Sequence, residues 1–184
     1  DGTMTAALVA DNSTSVGSFM QKNISIPDDS SKYTWSFYVK KDENVARFPV
    51  FWLNFFGNSI IYNHMNFNTK TGEIFNAVAS TGRLTAQSVS AGDYWRVSMT
   101  VQNDSSGNNG IAIRVDPAKV SNFTTSVFGA SDVTMTGSII FWGLQLEKGA
   151  KNLVSYPEDF SNAYWTKVAG ATAVHNPNSV NLAR

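Results

Sequence analysis

The chain carries two histidines, His64 and His175, and these are the first residues to ask about chemistry. His64 lies in SIIYNHMNFN, where alternation puts it on one face with Tyr62 and Asn66; His175 lies in HNPNS, a loop by composition. No G-x-S-x-G elbow, H-E-x-x-H pair or phosphate-binding glycine loop accompanies them. Two carboxyl groups can serve as acid and base on a glycosidic bond, and Asp28-Asp29, Asp42-Glu43 and Glu158-Asp159 are the close pairs. All three fall in turns or at strand ends, where short acidic side chains serve turn geometry. We therefore expect no enzyme in this chain, whatever a parent protein carries elsewhere.

Binding a sugar asks for other residues. Aromatic rings stack on the apolar face of a pyranose, while amides, carboxylates and Arg reach its hydroxyls. The sequence has 5 Trp, 6 Tyr and 12 Phe, most of which a core must absorb. The informative side chains lie opposite the apolar stripes: Tyr38, Tyr62, His64 and Arg96, with Asn54, Asn66 and Gln145 as polar companions. They belong to different strands and would line a shallow concave surface if those strands share one sheet. The bland alternative is a solvated sheet face with ordinary cross-strand pairs. Trp52 is ambiguous, because its segment is apolar on both sides. The polar tips Asn12–Ser15 and Ser105–Asn109 offer a loop route instead.

The elements that must position these residues have a period of two. KYTWSFYVKK puts Tyr33, Trp35, Phe37 and Val39 on one face. RFPVFWLNFF is apolar on both faces, as for a central strand, with Pro49 at its start or on an edge. Gly57-Asn58 predicts a hairpin to SIIYNHMNFN. A turn at Lys70–Gly72 precedes a short strand, and Gly92-Asp93 precedes one with Trp95, Val97, Met99 and Val101 inward. IAIRV is a strand ended by Asp116-Pro117. GSIIFWGLQLEKG is a strand with Ile140, Trp142, Leu144 and Leu146 on one face. Val120–Ser131 holds at most one short helical turn. Many short strands with regular turns predict an all-β antiparallel sandwich, most simply a jelly roll.

Composition bounds the partners. Lys and Arg number 14 against 14 acids, and only 15% of residues are charged. A neutral surface rich in hydroxyls and amides does not attract phosphate, which argues against nucleic acid and an anionic membrane surface. No apolar run reaches the roughly 18–20 residues of a membrane span. With no cysteine, disulfides, thiolate metal sites and a Cys nucleophile are absent together. The start, DGTMTA, has no initiator Met or apolar leader, so we expect a fragment or processed piece of a longer protein.

Several stretches, in order, resemble the carbohydrate-binding-type jelly-roll modules of phage tail and virion proteins and of some secreted glycan-acting enzymes. They are DGTMTAALV, YTWSFYVKK, FNTKTGEI, GDYWRVSMTV and, the most specific, IIFWGLQLEKGA. The resemblance covers residues 1–150. In such modules a segment like NLVSYPEDFSNAYWTK comes first, whereas here it begins at Asn152. Residues 151–184 thus resemble the head of a module, expected to pack back on the same sheet or on a neighbouring copy. The resemblance implies a virion or extracellular location, a host-surface glycan as partner, and a homotrimer within a fibre. It also implies a structural calcium as the one cofactor to consider, held by Glu147 with Asp1 or Asp11. The alternatives are a purely structural assembly domain and an accessory module of a polysaccharide-degrading enzyme.

Overall fold

In the computed structural model, residues 6–44, 46–79, 84–125, 133–148, 151–152, 163–168 and 170–175 are described. Their regular structure is entirely strand: β1 (Ala7–Asp11), β2 (Phe19–Ser25), β3 (Lys32–Lys40), β4 (Phe48–Phe56), β5 (Asn63–Phe67), β6 (Ile74–Ala79), β7 (Thr85–Ala91), β8 (Tyr94–Gln102), β9 (Gly110–Val120), β10 (Gly137–Lys148), β11 (Lys151–Asn152), β12 (Thr166–Val168) and β13 (Thr172–His175). Two antiparallel sheets pack as a sandwich, the all-β fold that the alternation predicts. The first sheet runs β13-β1-β10-β3-β8-β7, with β11 also on β10; the second runs β12-β2-β9-β4-β5-β6. Strand β1 pairs with β10, β2 with β9, β3 with β8 and β4 with β5, each pair antiparallel.

The core lies between the sheets and is built from the inward half of each alternation. Tyr33, Trp35, Phe37 and Val39 of β3 are all completely buried, as are Val97, Met99 and Val101 of β8. From the second sheet, Phe51, Leu53 and Phe55 of β4 meet them. Phe37 is the hub, with ring centroids 4.4 Å from Phe51, 4.5 Å from Trp35 and 4.8 Å from Phe141. Rings at these separations add roughly 0.5–1.5 kcal/mol per pair beyond burial. The two-faced β4 is central, between β9 and β5, and its outer residues Phe48, Val50 and Trp52 form a second apolar cluster with Val120 and Phe123. Pro49 sits where the β4–β9 register shifts, near the start of the strand, so its missing N–H interrupts no regular ladder.

Three details correct the sequence reading. Strand β9 does not stop at Asp116-Pro117 but continues to Val120, past an irregularity in its pairing with β4. In β10 the inward residues are Ile139, Phe141, Leu144 and Leu146, while Ile140 and Trp142 join a cluster on the outer face. The switch is a register shift between Trp142 and Gln145, at Gly143, whose φ of 65° suits glycine. One extra residue there exchanges the faces. His175 ends β13 opposite Ala7 rather than lying in a loop.

The described part of residues 151–184 packs on both sheets. Strand β12 extends the second sheet beside β2, and β13 extends the first beside β1. Trp165, only 4% exposed, enters the main core just before β12. Residues 121–124 are bends and turns, and the rest of the expected helical turn, 126–131, lies outside the described residues.

Candidate functional site

The second sheet carries a hollow of about 400 Å³ on its outer face. That lies within the roughly 300–1,000 Å³ typical of small-ligand sites. Three rows of side chains build it, each crossing β2, β9 and β4. The middle row is Asn23, Ala112 and Asn54, so a methyl group floors the hollow between two amides. One row along, Gln21, Arg114 and Trp52 stand side by side. In the other direction Phe56 lies opposite Gly110. A Cβ on Gly110 would come within 2.3 Å of the Phe56 ring, so the absent side chain lets that ring lie across the strand. The connection from β4 to β5 adds Ile60 and Tyr62 at the rim, 54% and 37% exposed. Strand geometry makes the hollow about 13 Å along β4 and about 10 Å across the three strands.

A buried acid holds one wall rigid. Asp116, fully buried, accepts the Trp52 indole N–H at 2.6 Å. The same carboxylate accepts Arg114 Nε at 2.7 Å and Nη2 at 2.6 Å, with Lys119 Nζ 3.6 Å away. The guanidinium lies 3.5 Å from the Phe19 ring centroid and 5.1 Å from that of Trp52. A bidentate pair between flanking rings fixes the plane of the arginine. The single acid serves two neighbours of the hollow, so both are preorganised.

The proposed ligand residues divide between the sheets. Asn54 and Tyr62 line the hollow. His64 sits behind it, fully buried, its ring 4.4 Å from Trp52, and burial pushes its pKa down to about 4. It is a neutral packing group, not a surface donor. Asn66 is also buried, donating to the carbonyls of Phe123 at 2.7 Å and Thr125 at 2.8 Å. Tyr38, Arg96 and Gln145 belong to the first sheet and stand on the opposite side of the sandwich. Tyr38 stacks on Trp142, centroids 4.3 Å apart and planes 13° from parallel. The six residues Tyr38, Asn54, Tyr62, His64, Arg96 and Gln145 therefore cannot form one patch. Gln21, Asn23, Phe56 and Arg114 take the missing places. Arg114 carried a signal as alternation, since it separates Ile113 from Val115, whereas Gln21 and Asn23 flank the polar Lys22 and carried none.

Among the described residues, most of the other acids read from the sequence take ordinary structural roles. Asp11 accepts the backbone N–H of Ser13 at 2.9 Å and of Ser18 at 2.8 Å. It lies opposite Gly137 at one end of β10, whereas Glu147 is near the other end. Ten residues of strand put the two about 30 Å apart, so Glu147 and Asp11 cannot share a calcium ion. Asp1 lies outside the described residues. Asp28 accepts the Gly107 N–H, and Asp29 pairs with Lys148 at 2.5 Å. Asp42 pairs with Arg47 at 2.9 Å and Glu43 with Lys70 at 2.8 Å. Glu158-Asp159 lies outside the described residues.

A second hollow, about 410 Å³, lies beside Arg47, Asp42, Asn44 and Ser138. Among the described residues no aromatic side chain lines it, and none there offers a stacking platform.

No family model matches this chain, and no curated protein sequence matches it either. The class that the structure itself defines is an all-β sandwich of two antiparallel sheets with a ring-walled, amide-lined hollow on one outer face.

Proposed function

We propose that this chain is a non-catalytic, jelly-roll module of a phage tail or related virion protein that holds a host-surface glycan in the hollow over β2, β9 and β4. The rolled pairing of β1 with β10, β2 with β9, β3 with β8 and β4 with β5 supports the jelly-roll reading. The observation that carries the function is the composition of the hollow: Phe56 and Tyr62 as apolar ring surfaces, with Asn23, Asn54, Gln21 and Arg114 as polar reach. That combination matches a sugar ring, which has apolar C–H faces and a polar edge.

Trp52 does not serve as a stacking platform, since His64 and Arg114 occupy its ring and it is 7% exposed. Stacking falls to Tyr62 and Phe56. Each site of this kind is weak, and copies linked on a fibre would gain by avidity, commonly about 10²–10⁴-fold. The resemblance of IIFWGLQLEKGA and its companions to phage tail and virion modules supports a location on a virion or outside the cell.

The test is a titration of the protein with a panel of host-surface saccharides, following the backbone amides by NMR. Saturable shifts confined to Asn23, Asn54, Tyr62 and Arg114 support the reading. A panel with no saturable shift anywhere leaves the assembly-domain alternative in its place.

A further inference from the structure

The hollow is rich in hydrogen-bond donors, and this bears on which saccharide it takes. Asn54 Oδ1 accepts the backbone N–H of Asn63 at 2.8 Å. A backbone N–H needs an acceptor, so this bond fixes which end of the amide is oxygen, and Asn54 presents its Nδ2 donors to the hollow. Asn23 Oδ1 accepts from Gln21 Nε2 at 2.8 Å, which leaves the Asn23 amino group as an outward donor and Gln21 Oε1 as an acceptor beside it. Arg114 spends Nε and Nη2 on Asp116; among the described residues nothing accepts from its Nη1. The remaining polar groups are therefore mainly N–H. Among the described residues no acid lines the hollow. The charges of this wall and just behind it, Arg114 and Lys119 against Asp116, sum to a net positive charge.

Resting on the glycan reading above, we infer that the hollow selects a sugar that carries a carboxylate over its neutral counterpart. A neutral pyranose edge offers hydroxyls that both donate and accept, and their O–H donors find few partners in a lining made mainly of donors. A carboxylate only accepts, and it also matches the local charge. The guanidinium Nη1, with the Asn23 and Asn54 amides, would receive its oxygens, while the ring rests against Tyr62 or Phe56.

The experiment pairs methyl glucuronoside with methyl glucoside, and methyl galacturonoside with methyl galactoside, each titrated into the protein at low and at high salt. The expected result is a preference of about ten- to hundredfold for one of the acids over its neutral partner, diminishing as salt rises. Equal affinity for acid and neutral sugar overturns this inference and leaves the glycan reading standing; no binding of any saccharide overturns the glycan reading itself. Arg114→Gln should abolish the preference. Because that change also leaves Asp116 without its partner, Asn54→Asp is the second variant. It keeps an acceptor for Asn63 N–H, so the fold is retained, but replaces the donor with a negative charge. Asn54→Asp should weaken the acid about tenfold more than the neutral sugar; equal effects on both contradict the assignment.

Discussion

Asp116 accepts the indole N–H of Trp52 at 2.6 Å across the β4–β9 pair, deep under the outer face of the second sheet. This one hydrogen bond joins the apolar cluster of Phe48, Val50 and Val120 to the charged wall of the hollow. Removing the acid strands Arg114 and Lys119, whose side chains are 20% and 11% exposed. Asp116→Ala is expected to cost about 3 kcal/mol or more, because a buried charge left unpaired costs more than the pair contributes. Urea unfolding checks this, and a loss below about 0.5 kcal/mol, as for an ordinary surface change, would contradict the role.

His64 makes stability depend on pH. Its ring is neutral in the fold, with the pKa pushed down to about 4 by burial. The unfolded chain binds a proton as the pH drops through about 6.5, and the folded protein does so only near 4. The stabilisation is complete above about 6.5 and is lost progressively down to about 4. Allowing for solvent screening, the loss is of order 2 kcal/mol. Melting temperature should fall between neutral pH and about pH 5, above most carboxylate titration. In His64→Phe, which keeps a ring against Trp52, that slope should flatten.

Gly143 takes the positive φ that lets β10 exchange its faces between Trp142 and Leu144. A Cβ there would stand 3.1 Å from Tyr38 Cδ2. Gly143→Ala should destabilise by about 1 kcal/mol or more, through the left-handed backbone rather than lost burial. Thermal denaturation beside Gly92→Ala, at an exposed turn, separates a general glycine effect from this close approach to the Tyr38–Trp142 stack.

Trp165 makes its segment, residues 163–168, part of this sandwich. Its side chain is 4% exposed in the main core, next to the β12–β2 pairing. Trp165→Ala should cost about 3–5 kcal/mol, the range for deleting a buried aromatic. A segment merely resting on the surface would give almost no change in the unfolding midpoint.

Much of the fold was legible because one face of most strands is buried. KYTWSFYVKK and DYWRVSMTVQ alternate cleanly, and the inward residues of β3 and β8 follow directly. Where a bulge intervenes the alternation misleads: Gly143 reads as any glycine, yet it exchanges the faces of GSIIFWGLQLEK. Pro117 misleads in the same way, since β9 tolerates it at an irregularity. The site was legible only in part. Alternation tells which residues share a face of their own strand, but not which strands share a sheet. Tyr38 and Arg96 are direct partners on one sheet, while Asn54 and Tyr62 sit on the other. Those pairings join residues far apart in sequence. FMQKNIS, which supplies Gln21 and Asn23, is too polar to announce itself as a strand.

The division between the sheets supplies the most direct test of the account. Tyr62 stands at the rim of the hollow, and Arg96 is exposed on the opposite sheet. Saccharide affinity should be measured for Tyr62→Ala and Arg96→Ala beside the parent protein, with folding checked by circular dichroism. Tyr62→Ala should lose about tenfold, the worth of one ring stack, and Arg96→Ala should keep its affinity unchanged. Unchanged affinity in Tyr62→Ala together with a loss in Arg96→Ala would put the ligand on the other face and contradict it.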